Sequence, residues 1–178
     1  MLVISGASAC GKTEVAHIIT KKYGLTRVIT VTTREKRVGE VDGVDYFFVS
    51  KDEFKKLIAE NKLVEYAEYN GNYYGSRRDQ VADNRILVVE ANGLKAYISQ
   101  NDPHIITFAL TSNVKLREER MRSRGDKECD IEKRLKSDRT VFSKTNLRGV
   151  DFFIENNNST LEELADDIYI KYISKLNK

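Results

Sequence analysis

Residues 1–13 read MLVISGASACGKT: a short apolar run, then Gly6, four spacer residues, and Gly11-Lys12-Thr13. Val15, Ala16, Ile18 and Ile19 follow at helical spacing, so the segment is a buried strand that turns through glycines straight into a helix. That order is the P-loop pattern, and each residue type in it has a physical task. Gly6 and Gly11 let the backbone turn with its N–H groups facing inward, where the free amides and dipole of a helix start attract an anion. Lys12 is placed to reach the β- and γ-phosphates of a nucleotide, and the Thr13 hydroxyl to ligate Mg²⁺. Gly6, Ala7, Ser8, Ala9, Cys10, Gly11, Lys12 and Thr13 are therefore the expected cradle for nucleotide phosphates.

Further apolar runs at 27–31, 86–89, 105–110 and 152–154 are short and unbroken, with helical patterns between them. Such runs are strands buried on both faces. The spacing predicts an α/β chain of the P-loop NTPase type, a parallel sheet flanked by helices. At the end of the chain Leu161, Leu164, Ala165, Ile168, Tyr172, Ile173 and Leu176 recur at helical spacing, and Ser159 with Glu162 reads as the capping box that starts the helix. A length of 178 residues fits one compact unit, and 40% hydrophobic with 32% charged residues excludes both a disordered chain and a membrane-embedded one.

Charge and cysteine use narrow the class further. The 30 basic and 27 acidic side chains are interspersed and leave a formal charge of +3, so no general nucleic-acid surface is expected. A basic, then apolar, leader is absent and no apolar run approaches bilayer length, which makes a cytoplasmic protein without membrane contact the expectation. Cys10 and Cys129 have no metal-like spacing, so neither a zinc site nor a disulfide framework is expected. Cys10 lies inside the loop, where a small residue fills a tight position; an oxidisable thiol there would need to be exposed.

Two segments interrupt the alternation. Residues 32–78 are dense in Gly, Tyr and charge, with strand-like alternation over 63–69 and a helical stretch over 51–60; they read as a small mixed β insertion. Residues 113–144 are helical and highly charged, with Arg117, Arg120, Arg122, Arg124, Lys133, Arg134 and Arg139. A solvated helix face accounts for most of these arginines, and one or two directed at a phosphate would suffice for catalysis. The core then comprises 1–31, 79–112 and 145–178.

The first insertion opens Thr32-Thr33-Arg34-Glu35-Lys36-Arg37-Val38-Gly39-Glu40-Val41-Asp42-Gly43-Val44-Asp45-Tyr46, continues with Leu63-Val64-Glu65-Tyr66-Ala67, and ends Gly71-Asn72-Tyr73-Tyr74-Gly75-Ser76. In these three blocks, in order and spacing, the chain resembles guanylate kinase, and with the P-loop the resemblance covers nearly the whole length. The residues are chemically apt for that activity. Arg34 and Arg37 offer two guanidinium forks to one phosphate, and Tyr46 and Tyr74 offer hydroxyls to the same group. A carboxylate such as Glu65 accepts from both N–H donors on guanine's Watson–Crick edge, which adenine does not present.

The resemblance implies ATP as donor, Mg²⁺ as cofactor, and GMP or dGMP as acceptor. It implies guanine or phosphate contacts for Thr30 and Ser76 and an acidic group near the base at Glu90. It also implies lid arginines at Arg124 and Arg134, which with Lys12 and Arg37 form the expected catalytic set, and a place near adenine for Asn156. The chain departs from the family pattern in carrying Val88-Val89-Glu90 where Asp-x-Asp is usual, Ala7 where Pro is common, Val150 where an aromatic residue is usual, and one residue fewer between the lid arginines. Two other readings share the motifs: a P-loop kinase of another phosphorylated small acceptor, and a non-catalytic guanylate kinase-like binding module. His17 and His104 receive no role, because phosphoryl transfer to a phosphate needs no imidazole base.

Overall fold

The computed structural model describes residues 1–36, 39–69 and 71–177. Among them the elements run β1 (Leu2–Gly6), α1 (Lys12–Tyr23), β2 (Thr26–Arg27), β3 (Val31–Thr32), β4 (Phe47–Phe48), α2 (Lys51–Ala59), β5 (Leu63–Tyr69) and β6 (Asn72–Arg77). After a 3-10 turn at Arg78–Gln80 come β7 (Arg85–Val88), α3 (Ala91–Ile98), β8 (Ile106–Thr111), α4 (Val114–Ser123), α5 (Glu128–Val141), β9 (Phe152–Glu155) and α6 (Leu161–Leu176). No helix among the described residues is long and apolar enough to cross a membrane.

Five strands form a wholly parallel sheet in the order β2-β7-β1-β8-β9. β1 lies in the middle, with Leu2 opposite Ile86 on one side and Ile106 on the other. Every β1 residue is buried, which explains its unbroken apolar run. Alternate residues serve opposite faces. Leu2 and Ile4 pack with Val15, Ile19, Leu164, Ile168 and Tyr172 of α1 and α6, whereas Met1 and Val3 pack with Leu94 and Tyr97 of α3. At about 1.5–3 kcal/mol for each large apolar side chain fully removed from water, these two layers are the main source of stability. The sheet is thus an α/β sandwich whose central strand delivers the loop at 6–11 to the crevice beyond the strand ends, where open parallel sheets bind ligands.

A second, mixed sheet of order β4-β3-β6-β5 is built from the first insertion. β3 runs parallel to β4 and antiparallel to β6, and β5 is antiparallel to β6. Phe54 of α2, fully buried, packs with Val31 and Leu63 as its small core. Ser50 and Glu53 form a capping box at the start of α2.

Two local expectations are corrected. The apolar run 27–31 is not one strand: β2 pairs with β7 of the parallel sheet, and β3 belongs to the mixed sheet. The chain must cross between two cores there, Val28 being buried against one and Val31 against the other. The cap of α6 is Thr160 with Glu163, one residue later than Ser159 with Glu162. Both pairs have the required spacing, but with Leu161 as first helical residue it is the Thr160 oxygen that meets the amide of Glu163 at 3.2 Å.

Candidate active site

The loop between β1 and α1 is held from beneath. An added Cβ on Gly6 would run into the Leu110 carbonyl and lie 2.9 Å from the Cys10 sulfur, so only glycine fits between β8 and the turn. Ala9 (φ 58) and Gly11 (φ 95) are both left-handed, which turns the chain back into α1. The amides at the start of α1 have no carbonyl four residues earlier within the helix, the general condition for an anion site at a helix start. Lys12 lies across this mouth with its Nζ 3.5 Å from the Ala7 carbonyl, and Thr13 is exposed beside it.

Cys10 and Asn156 are placed differently from the rest of the loop set. Cys10 is fully buried, and burial pushes its thiol up despite the opposing pull of Lys12. It fills the loop rather than presenting a reactive sulfur. Asn156 is also fully buried, under the loop; its amide donates to the Cys10 carbonyl at 3.1 Å, and an added Cβ on Gly11 would lie 3.2 Å from its Nδ2. It therefore supports the loop and does not face the open crevice.

A cleft of about 1020 Å³ lies between the two sheets, and Thr30, Tyr46, Glu65, Tyr74, Ser76 and Glu90 all line it. Here the mixed sheet aligns its chemistry: β5 and β6 place Glu65 opposite Ser76, whose hydroxyl donates to Glu65 Oε1 at 2.6 Å. Burial holds the Glu65 carboxyl above the usual range, with the Ser76 hydroxyl and amide pulling it back. Gly93 on α3 lines the cleft beside this carboxylate, and a Cβ there would press to 3.0 Å from Val89 Cβ. Glu90 is the exposed N-cap residue of α3, and Val88 lines the cleft beside it.

Arg34 flanks this cleft. Its guanidinium stacks 5.5 Å from the Tyr46 ring and donates to Glu40 at 2.7 Å and to the Glu35 carbonyl at 2.7 Å. Arg37 lies outside the described residues. Thr30, Tyr46 and Val88 also line a smaller cavity of about 240 Å³ walled by Thr13 and the exposed His17, so the two cavities share a wall beside the first turn of α1. His104 pairs with Asp83 at 3.1 Å before the N-terminal ends of β8 and β7, the opposite end of the strands from the loop.

On the other side of the loop a cleft of about 490 Å³ is walled by Ala9, Gly11, Arg120, Arg124 and Leu161. Arg124 and Arg134 converge on one carboxylate, Asp126, at 2.9 and 3.2 Å. Among the described residues no group of three or more His, Cys, Asp or Glu could hold a metal. The exposed Thr13 hydroxyl at the helix start suits an ion held by one protein oxygen and substrate phosphates, a common arrangement for Mg²⁺.

Sequence reasoning singled out no role for Arg117 or Asp138. Arg117 on α4 is only 4% exposed; its Nε donates to the Ser8 carbonyl at 2.9 Å and its Nη2 to Asp138 Oδ2 at 2.5 Å. The same Asp138 oxygen accepts the Ser8 amide at 2.8 Å. A signal was present: Arg117 sits four residues before buried Met121, and Asp138 seven after buried Ile131, so opposite charges stand on the apolar stripes of adjoining helices.

Comparison with known proteins agrees with this geometry. A family model described as guanylate kinase matches residues 1–170. The guanylate kinase of Bacillus subtilis is 34% identical over 177 residues, 94% of this chain and 85% of its own. That of a Synechocystis species is 41% identical over 143 residues, covering 76% and 75%. The crystal structure of guanylate kinase from Anaplasma phagocytophilum superposes with a TM-score of 0.71 at 26% identity, over 100% of this chain and 86% of that one. With the P-loop, the mixed sheet and nearly the whole length matched, the chain belongs to the guanylate kinase family.

Proposed function

We propose that this protein transfers the γ-phosphoryl group of ATP to the phosphate of GMP or dGMP, giving ADP and the corresponding diphosphate. The observation that carries the reading is the common cleft of Thr30, Tyr46, Glu65, Tyr74, Ser76 and Glu90, which shares a wall with the cavity at Thr13. Glu65, oriented by Ser76, accepts from the guanine N1–H and 2-amino group; Thr30 and Glu90 complete the base and phosphate contacts. Tyr46, Tyr74, Arg34 and Arg37 hold the acceptor phosphate. In this reading Arg34 exchanges Glu40 for the phosphate.

The donor phosphates lie on the loop of residues 6–13, with Asn156 holding its last turn from below. An acceptor phosphate oxygen attacks the γ-phosphorus as the bond to the β–γ bridging oxygen breaks, and ADP leaves with that electron pair. No covalent enzyme intermediate is needed. Lys12, Arg37, Arg124 and Arg134 counter the charge on the transferring group's oxygens. Thr13 would hold Mg²⁺, which when bound neutralises the donor's β- and γ-oxygens. The segments 32–78 and 113–144 close over the core formed by 1–31, 79–112 and 145–178 and exclude water from the phosphoryl group.

Phosphorus NMR of ATP, Mg²⁺ and GMP with the protein tests the reading. The γ-phosphate resonance of ATP should disappear as the two β-phosphate resonances of ADP and GDP grow equally. Growth of inorganic phosphate instead would make the protein an ATPase, and an unchanged spectrum would favour a binding module.

A further inference from the structure

We propose that Arg117 and Asp138 are positioning residues that clamp the phosphate loop from the two helices of the second insertion, and so set the affinity for the donor nucleotide. The proposal rests on the reading of residues 6–13 as the donor loop. Both polar ends of Ser8 are engaged by one buried ion pair: its amide donates to Asp138 Oδ2 at 2.8 Å, and its carbonyl accepts from Arg117 Nε at 2.9 Å. The pair closes on itself through Arg117 Nη2 and the same Asp138 oxygen at 2.5 Å. The next residue, Ala9, is left-handed at φ 58 without being glycine, and its carbonyl accepts from Arg120 at 3.2 Å. A turn in that conformation is held by its surroundings, and here three charged side chains of α4 and α5 hold it.

Two physical arguments separate this role from packing and from bulk charge. The Arg117 and Asp138 side chains are only 5% and 10% exposed. Burying such a pair costs desolvation that an apolar pair of similar volume would avoid, so stability alone is poorly served by it. A carboxylate beside a loop that receives polyphosphate also opposes the ligand's charge. What Asp138 provides is an acceptor fixed in place by Arg117, which holds the Ser8 amide and with it the course of the loop toward Gly11.

Calorimetric titration with ADP and with GMP, beside thermal melting, tests the clamp in the full chain. The variants are Asp138→Ala and the apolar double variant Arg117→Leu/Asp138→Leu. Asp138→Ala removes a negative charge near the phosphates, so electrostatics alone predicts tighter ADP binding; the clamp predicts binding weaker by about tenfold. The double variant should melt near the wild type, bind ADP about tenfold more weakly, and bind GMP as before. ADP affinity unchanged or improved in a folded variant overturns the proposal, as does an equal loss for ADP and GMP. If neither variant folds, the pair is structural and the proposal falls. A wild type that binds no ADP would strike the donor-loop reading itself, before any variant is compared.

Discussion

Replacing Glu65 by Gln should remove guanine selectivity while leaving the fold intact. Ser76 donates to Glu65 Oε1 at 2.6 Å, leaving Oε2 and the second lone pair of Oε1 for the base. In Glu65→Gln, if the Ser76 hydroxyl keeps the carbonyl oxygen, the new NH₂ group faces two guanine donors. If the amide flips, one neutral acceptor serves where a charged carboxylate served two. Either arrangement forfeits at least one charge-assisted hydrogen bond, which together with an unmet buried donor is worth about 3 kcal/mol, or roughly 150-fold in kcat/KM for GMP. IMP, which lacks the 2-amino group, gives an internal control. The native enzyme should prefer GMP over IMP by roughly 10- to 150-fold, from one hydrogen bond to a charged group worth about 1.5–3 kcal/mol. In Glu65→Gln this preference should shrink to a few-fold. Steady-state kinetics on both acceptors decide it, and an unchanged GMP-to-IMP ratio in the variant would refute the role given to Glu65.

The same substitution has a pH signature in stability. Because burial raises the Glu65 pKa in the folded protein, its charged form costs stability at neutral pH; Glu65→Gln should melt higher there, and the difference should vanish as pH falls below the ordinary carboxylate value of about 4.3. Lys12→Ala should lower kcat by at least about 10²-fold. Its effect on unfolding free energy should stay within about 0.5 kcal/mol. Among the described residues the side-chain hydrogen bond Lys12 would lose is a long one, 3.5 Å to the Ala7 carbonyl, so a large drop in chemical stability would contradict its placement. Gly6→Ala should destabilise by about 3 kcal/mol in urea titration, because its Cβ meets the Leu110 backbone, which cannot swing away as a side-chain end could.

Much of the architecture was legible because both strong periodicities are present. The unbroken run at Leu2, Val3 and Ile4 could only be a strand buried on two faces, and the stripe from Leu161 to Leu176 could only be a helix against it. The run at 27–31 misled because apolarity reports burial and not which core receives the side chain, and two cores meet there. Glu65 and Tyr74 stood out by their chemistry and Ser76 by the family resemblance, and the structure brings all three to the wall of one cleft. Asn156 was harder, since its proximity to the loop does not say whether its amide faces the crevice or the Cys10 carbonyl beneath. The Arg117–Asp138 pair was hidden among the arginines of a charged segment. The place of Arg117 on the stripe of Met121 marks it for burial, but its partners Ser8 and Asp138 come from the meeting of α4, α5 and the loop.

Initial rates of ADP release from ATP and Mg²⁺ across GMP, dGMP, AMP, CMP, UMP and dTMP at matched concentrations show whether the protein is a guanine-specific phosphotransferase. Turnover should be confined to the guanine nucleotides, with Glu90 sufficing where Val88 replaces the family's usual first acid. Equal turnover of AMP, or activity only with a non-guanine acceptor, would contradict it.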